Sequence, residues 1–595
     1  MTESSVPAAD QPWRVALTGV VFCALFAVVT YRLHHLQIEK GEALSEIGNH
    51  QRMRKLEIQA ARGNIYDSHG MPLAVSDGRW TLYADPGYMD DRMRATVELS
   101  RVLGMPRDAI RKELESRFNG RRIAKGLDDS QADAIRALKI SGLNLRREFQ
   151  RIYPEGGLAP HVLGFVLANS TGGAGIEQVM NTQLKGEAGQ ETIAVDAFGQ
   201  PILIARESIP ARPGAQVQLT IDSVIQRKLQ EAIAEAVVKH KPKTACGIVL
   251  RPGTGEIVAM ASWPDFDTRD LSQLKPEAQR NNALSFVFEP GSTMKPLIAG
   301  AVVSDGLAQW TEQIDCEHGA WTYRFGKAVR TIHEKSGGHG ILDLVEGIAY
   351  SDNILMAKLG IRMGPDRLQD WVKRLHFGRR TGICLPGDEP GIIPGKAAWN
   401  PTDACMSVPM GHGVAVTPIQ MACAHAAVAN GGMWLPPRLV KRVWTIDDSG
   451  NERELPLPAL ATPDRLFQTA DALQIQNAMT HTMTEGTGKK ADLSGWTSAG
   501  KTGTTEKLVN GRYSSTNNVG SFVCWAPASA ERQPELLAMV VIDDPSANGR
   551  FGSETAAPVV QKVLQFSLEQ LRVPKDKIVP DPEQKLATGA RRGVR

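Results

Sequence analysis

The first sustained pattern in the chain is a run without a single charge, VALTGVVFCALFAVVTY at 15–31, bounded by Trp13-Arg14 and Arg32. It is just long enough for an apolar helix to cross a bilayer, which takes about 17 to 25 residues. Trp13 and Tyr31 stand where interfacial aromatic residues anchor such a helix. The chain then continues TYRLHHLQIEK with no small-x-small cleavage site, so the run predicts an uncleaved anchor with a short head at 1–14. Residues 32–55 read as a polar, helix-compatible stalk.

Beyond the stalk, short strand-like pieces (WTLYADP, ETIAV, PILIA) alternate with helical ones (MRATVELSRVLG, PRDAIRKELESRF, SQADAIRALKI) as far as residue 213. This predicts an α+β support region with little chemistry of its own. At 214 the pattern changes. In VQLTIDSVIQRKLQEAIAEAVVKH, Asp222 is a helix N-cap candidate, and Ile225, Leu229, Ile233 and Val237 recur on one face. GIVL, RPGTG and EIVAMAS read as strand, tight turn and strand, and SFVCWAP and ELLAMVVID repeat that pattern far down the chain. Strands at both ends of a long helical middle predict one α/β domain, 214–572, with a sheet closed by its two sequence termini. The Pro- and charge-rich run 573–595 reads as a disordered tail.

Composition alters this picture little. The 595 residues exceed what one core can organise, so several domains are expected. With 68 Lys and Arg against 65 Asp and Glu, the net charge of +3 gives no argument for a nucleic-acid partner. Seven scattered cysteines without a Cys-x-x-Cys pair signal neither a zinc site nor a disulfide framework. Arg14 before the apolar run and Arg32 and Lys40 after it leave the orientation of the anchor undecided.

The chemistry begins with Ser-x-x-Lys, which occurs three times: Ser272/Lys275, Ser292/Lys295 and Ser498/Lys501. Only Ser292 follows a Pro-Gly break and precedes a long apolar helical run, LIAGAVV, which predicts a serine in the first turn of a buried helix. Lys295, three positions on, shares its face and can reach the Ser292 hydroxyl. Pro296 is tolerated only near a helix start. The backbone N–H of a first-turn serine is unsatisfied and can face a carbonyl oxygen, while the hydroxyl needs a nearby base such as a lysine of lowered pKa. AYSDNILMAKLG places Ser351 and Asn353 at the start of another apolar helix. SAGKTGTTEK places Lys501, Thr502, Gly503 and Thr504 in an extended segment suited to an edge strand. His333, Glu334 and His339 read as a polar, Gly-rich loop rather than as metal ligands. His412, in GHG, is either a neighbour of the active site or a turn residue.

Ser292-x-x-Lys295, then Ser351-Asp352-Asn353, then Lys501-Thr502-Gly503-Thr504 is the ordered trio of penicillin-binding proteins and serine β-lactamases. The chain resembles a class B penicillin-binding protein, a membrane-anchored D,D-transpeptidase of peptidoglycan synthesis, of the septal division type. The resemblance extends past the trio. ARGNIYDSHGMPLA is similar to the pedestal box of that family, with Ser68 where an Arg is usual. RIYPEGGLAPHVLGFV and GAGIEQVMNTQLKGEAG resemble further pedestal segments, and LTIDSVIQ, RPGTGEIVAMAS and GHGVAVTPIQMACAHAAVANGG resemble parts of the transpeptidase domain.

The resemblance implies an α/β transpeptidase domain of antiparallel sheet flanked by helices, a stalk and non-catalytic α+β pedestal together at 32–213, and one transmembrane helix. It implies Ser292 as nucleophile, Lys295 as proton acceptor, Ser351 as proton relay and Asn353 as the residue orienting Lys295 and the substrate amide. Lys501, Thr502, Gly503 and Thr504 would bind substrate, and the N–H groups of Ser292 and Thr504 would form the oxyanion hole. No cofactor or metal is implied. The implied partners are D-Ala-D-Ala stem peptides, β-lactams as covalent inhibitors, the bacterial inner membrane, a SEDS-type glycan polymerase and division proteins. The catalytic domain would lie outside the cytoplasm. Alternatives are an elongation-type enzyme and a β-lactam sensor or scaffold without turnover. A β-lactamase would need a Glu to activate water, and a bifunctional synthase would need a glycosyltransferase domain where the pedestal boxes stand.

Overall fold

The computed structural model describes residues 12–42, 44, 53–118, 120–167, 170–195, 201–272, 274–334, 337–447, 449–509 and 511–577. The head before residue 12 and the tail from 578 lie outside the described residues. The chain forms two units, Met1–Ala60 with Glu187–Arg212, and Ala61–Gly186 with Pro213–Arg595.

In the first unit the charge-free run is a helix, Pro12–His34, continued by one turn of π-helix, His35–Glu39. At a rise of about 1.5 Å per residue an α-helix of this length spans the hydrocarbon of a bilayer, and the helix is long and apolar enough to do so. The same unit holds an antiparallel sheet in which Gly189–Val195 lies between Met53–Ile58 and Pro201–Ile209. The helix-compatible stalk therefore ends sooner than its polarity suggests. Residues 53–55 are strand because a partner more than 130 positions away, Thr192–Ala194, takes up their backbone groups.

In the second unit, α1 (Ser223–His240) is capped as the sequence predicts, with Asp222 accepting from the N–H of Val224 and Ile225. Next come β1 (Thr244–Leu250), β2 (Ile257–Trp263), α2 (Lys295–Ser304), α3 (Asn353–Met363), α4 (Pro418–Ala429), α5 (Thr469–Thr484), β3 (Ala499–Val509), β4 (Arg512–Ala526), β5 (Leu536–Asp543) and α6 (Ala557–Gln570). The five strands form one antiparallel sheet in the order β2-β1-β5-β4-β3, so the first hairpin pairs with the last strand and β3 lies at an edge. Every residue of β5 is buried. Leu537, Met539 and Val541 enter one core with α2, α3, α4 and α5, while Leu536, Ala538, Val540 and Ile542 enter another with α1 and α6. Side chains alternate between the faces of a strand, so a sheet covered on both sides reads in sequence as a continuous apolar run.

In the pedestal part of this unit, the strands Pro72–Ala84, Arg121–Leu127 and Leu143–Ile152 carry the helices Arg92–Leu103 and Arg107–Leu114 over a core of Leu82, Leu99, Ile110 and Leu114. The strand Ile65–Tyr66 pairs in parallel with Gln216–Leu219, which also pairs with Val440–Ile446. The pedestal sheet thus continues across residue 214. In the pedestal box, Ser68 donates its N–H to Ile221 O at 2.7 Å and its carbonyl accepts from Gln218 Nε2 and Lys441 Nζ, each at 3.1 Å. Asp67 accepts from Ser223 Oγ at 2.7 Å, and Arg62 is buried against Glu177 at 2.5 Å. The first residues of the expected tail are ordered: Asp576 Oδ1 accepts from Thr497 N at 2.7 Å, and Lys577 pairs with Asp492 at 2.6 Å. Composition had marked them for disorder, but these long-range bonds hold them.

Candidate active site

The site is assembled where the edge strand β3 meets the starts of α2 and α3. Ser292 occupies a 3-10 turn, Gly291–Thr293, immediately ahead of α2 rather than an α-helical first turn. Such tightening is common at helix starts. Gly291 has a φ of +56°, and a Cβ there would lie 2.4 Å from Thr505 Oγ1, so only glycine allows both the turn and the approach of the strand. Beneath the turn, His425 of α4 is buried with Nε2 2.9 Å from Thr293 O. Burial pushes its pKa down to about 4, so the neutral ring donates to that carbonyl and holds the turn.

Lys295 heads α2 and is fully buried. Among the described residues its ammonium takes as acceptors Ser351 O at 2.5 Å, Ser351 Oγ at 3.3 Å and Asn353 Oδ1 at 2.7 Å, and Ser292 Oγ is not one of them. The acceptors at the start of α3 compete for the protons that the sequence reading directs to Ser292. Burial pushes the Lys295 pKa down to about 8, opposed by the Glu334 and Asp352 carboxylates, which favour the charged form.

Ser351 precedes α3 in the left-handed region, with φ of +64°, and Asp352 caps the helix by accepting from Leu355 N. Non-glycine residues adopt that conformation only when their surroundings impose it. Its carbonyl accepts from Lys295, and its hydroxyl from both Lys295 and Lys501.

On β3, Lys501, Gly503 and Thr505 share one face. Lys501, also fully buried, donates to Ser351 Oγ at 3.0 Å and to Thr502 O at 3.3 Å. Thr505 Oγ1 donates to Glu289 O at 2.9 Å, and a Cβ on Gly503 would come within 2.9 Å of Pro290 O. Glycine at 503 therefore seats the strand against the Ser292 turn. Thr502 and Thr504 point to the opposite face, where Thr502 Oγ1 lies 2.9 Å from Thr487 Oγ1 and Thr504 Oγ1 accepts from Gly552 N at 3.0 Å. Burial, and then the Lys295 charge, holds Lys501 well below the usual lysine range.

The structure thus brings together Lys295, Ser351, Asn353 and Lys501 by direct bonds, and seats β3 on the turn that carries Ser292. Of the other Ser-x-x-Lys pairs, Ser272 bonds an exposed Asp270 and Ser498 is buried. His412 stacks edge-on against Tyr513, at 5.7 Å between ring centroids. Two residues of the site carry no motif. One is His425, inside a segment whose likeness to the transpeptidase domain assigned that residue no role. The other is Glu334, whose carboxylate lies against Asn353. No local spacing could have found either.

Residues 245–565 match the family model for the penicillin-binding protein transpeptidase domain, and 57–219 match the penicillin-binding protein dimerisation domain. The chain belongs to this family, as a class B penicillin-binding protein. It is 30% identical to stage V sporulation protein D of Bacillus subtilis, over 94% of this chain and 85% of that one. It is 28% identical to the peptidoglycan D,D-transpeptidase FtsI of Escherichia coli, over 95% of this chain and 93% of that one. Its fold is similar to that of a peptidoglycan synthetase from Bifidobacterium adolescentis, with a TM-score of 0.71 and 24% identity over 89% of this chain and 99% of the other.

Proposed function

We propose that this chain is a serine D,D-transpeptidase that cross-links peptidoglycan stem peptides at the division septum, on the outer side of the membrane crossed by its N-terminal helix. The observation that carries the chemistry is the Ser351 hydroxyl, which bonds the ammonium groups of two fully buried lysines, Lys295 at 3.3 Å and Lys501 at 3.0 Å. Burial that favours a neutral lysine supplies the base that a serine nucleophile needs.

In this reading Ser292 Oγ attacks the carbonyl carbon of the penultimate D-Ala as its proton passes to neutral Lys295 Nζ. The oxyanion faces the N–H groups of Ser292 and Thr504. Collapse breaks the C–N bond, the leaving nitrogen takes a proton from Ser351 Oγ, and Lys295, protonated in the first step, restores that proton to Ser351. D-Ala departs and leaves an ester on Ser292. An amine of a second stem peptide attacks the ester, returns a proton through the same groups and regenerates the Ser292 hydroxyl. Because Lys501 is turned to Ser351, the Thr502 and Thr504 hydroxyls on the other face of β3 take the terminal carboxylate of the substrate. A hydroxyl that accepts one bond still has its own proton to donate. β-Lactams acylate Ser292 by the same first step.

Likeness to FtsI of Escherichia coli and to a sporulation protein supports the septal assignment. The test is reconstitution of the full-length chain with a SEDS-type division polymerase and lipid-linked disaccharide pentapeptide. D-Ala release together with cross-linked dimers is expected. Polymer without D-Ala release would favour a sensor or scaffold, and rounded rather than filamentous cells on depletion would overturn the septal role.

A further inference from the structure

Glu334 follows the strand Ala328–His333 and brings its carboxylate to the start of α3. Oε1 accepts from the backbone N–H of Asn353 at 2.5 Å and of Ile354 at 3.1 Å, and Oε2 accepts from Asn353 Nδ2 at 2.9 Å. An ionised carboxylate only accepts hydrogen bonds, so it draws the NH2 of the Asn353 amide toward itself. The amide oxygen is thereby turned to Lys295, 2.7 Å away. A negative charge at a helix N-terminus is also favoured by the dipole of that helix.

We propose that Glu334 is a positioning residue for acylation: it fixes the Asn353 amide in the one orientation that receives the Lys295 ammonium. The proposal rests on the reading of Ser292 and Lys295 given above. The carboxylate also acts through charge. The groups facing Lys295 are Glu334, Asp352 of the α3 cap and Lys501 of β3. Asp352 in turn faces His339, at 3.4 Å, and Cys316. Glu334 itself faces Lys295 and Asp352. Two buried ammonium groups thus face two carboxylates, and removing either carboxylate favours the neutral lysine. Burial and Asp352 raise the Glu334 pKa, while Lys295 and the two backbone N–H groups hold it down.

The test is the rate constant for acylation of the full-length chain by a fluorescent penicillin between about pH 6 and pH 10, with melting temperatures in parallel. In Glu334→Gln the side-chain amide sets donor against donor at α3, the Asn353 amide turns over, and Lys295 loses both its acceptor and a favourable charge. The plateau rate should fall by up to about a hundredfold, as for a misplaced catalytic group, and the rising limb should move to lower pH. Glu334→Asp keeps the charge with a shorter reach, so its midpoint should stay and its plateau should fall a few-fold. A Gln variant with the wild-type plateau and midpoint would overturn the proposal. So would a lowered plateau with an unmoved midpoint, the mark of a merely structural role. If the Gln variant does not fold, an Asp variant with the full wild-type plateau would overturn it alone. Ser292→Ala, run alongside, separates the two claims: wild-type labelling of that variant would sink the nucleophile assignment itself and this proposal with it.

Discussion

Lys295 and Lys501 meet at one hydroxyl: their Nζ atoms lie 3.3 and 3.0 Å from Ser351 Oγ, and neither lysine is exposed to solvent. The arrangement joins the start of α2 to the edge strand through the residue that introduces α3. Replacing Ser351 by Ala should remove the shared acceptor while leaving Lys295 its bonds to Ser351 O and Asn353. Acylation by a fluorescent penicillin should slow about 100- to 10,000-fold, the range for loss of a general acid-base group. The melting temperature should barely change, and a rate close to wild type would contradict the relay.

The pH dependence follows from Lys295. Its protonated form cannot accept the Ser292 proton, and burial lowers its pKa to about 8. Acylation should therefore rise with pH through about 8, and below that midpoint the neutral fraction should fall roughly tenfold per pH unit. Stopped-flow acylation across this range checks the sign. A rate that falls as pH rises through 8 would contradict Lys295 as the acceptor.

The strand's seat on the nucleophile turn depends on Gly503. In Gly503→Ala the added Cβ would stand 2.3 Å from Ser521 Oγ and 2.9 Å from Pro290 O, so β3 has to lift. Overpacking of this kind costs about 1 to 3 kcal/mol. Thermal melts should show that loss together with an acylation defect, since lifting β3 moves Lys501 and Thr504 away from Ser292.

Far from this site, Arg62 and Glu177 form a buried ion pair in the pedestal, with Glu177 also holding Arg151 and Tyr153. Arg62→Ala leaves a buried carboxylate short of a partner and should cost about 3 to 5 kcal/mol. Penicillin labelling per folded molecule should be unchanged. A labelling defect at full stability would show instead that the pedestal acts on the active site.

What could be read from the sequence was local. The Pro-Gly break before Ser292, the apolar helix after Asn353 and the Gly- and Thr-rich strand of Lys501 each announce themselves within about ten residues. The hairpin of GIVL and EIVAMAS did so as well, and ELLAMVVID read as a strand, although its burial on both faces appears only in the structure. What could not be read depends on distant partners. Met53–Ile58 becomes strand only beside Gly189–Val195, and Asp576 is held by Thr497 and by Gly495 O, both about 80 positions away. The direction of the Lys295 protons is set by the way α3 approaches α2. Glu334 gave no signal because a carboxylate in a Gly-rich loop looks solvated until the fold sets it against Asn353.

The most direct measurement is covalent: label the full-length chain with a fluorescent penicillin, digest it and map the modified residue, with Ser292→Ala beside wild type. The account predicts one labelled peptide, 288–300, modified at Ser292, and no label on the variant. Equal labelling of the variant, or label at Ser272 or Ser498, would contradict it.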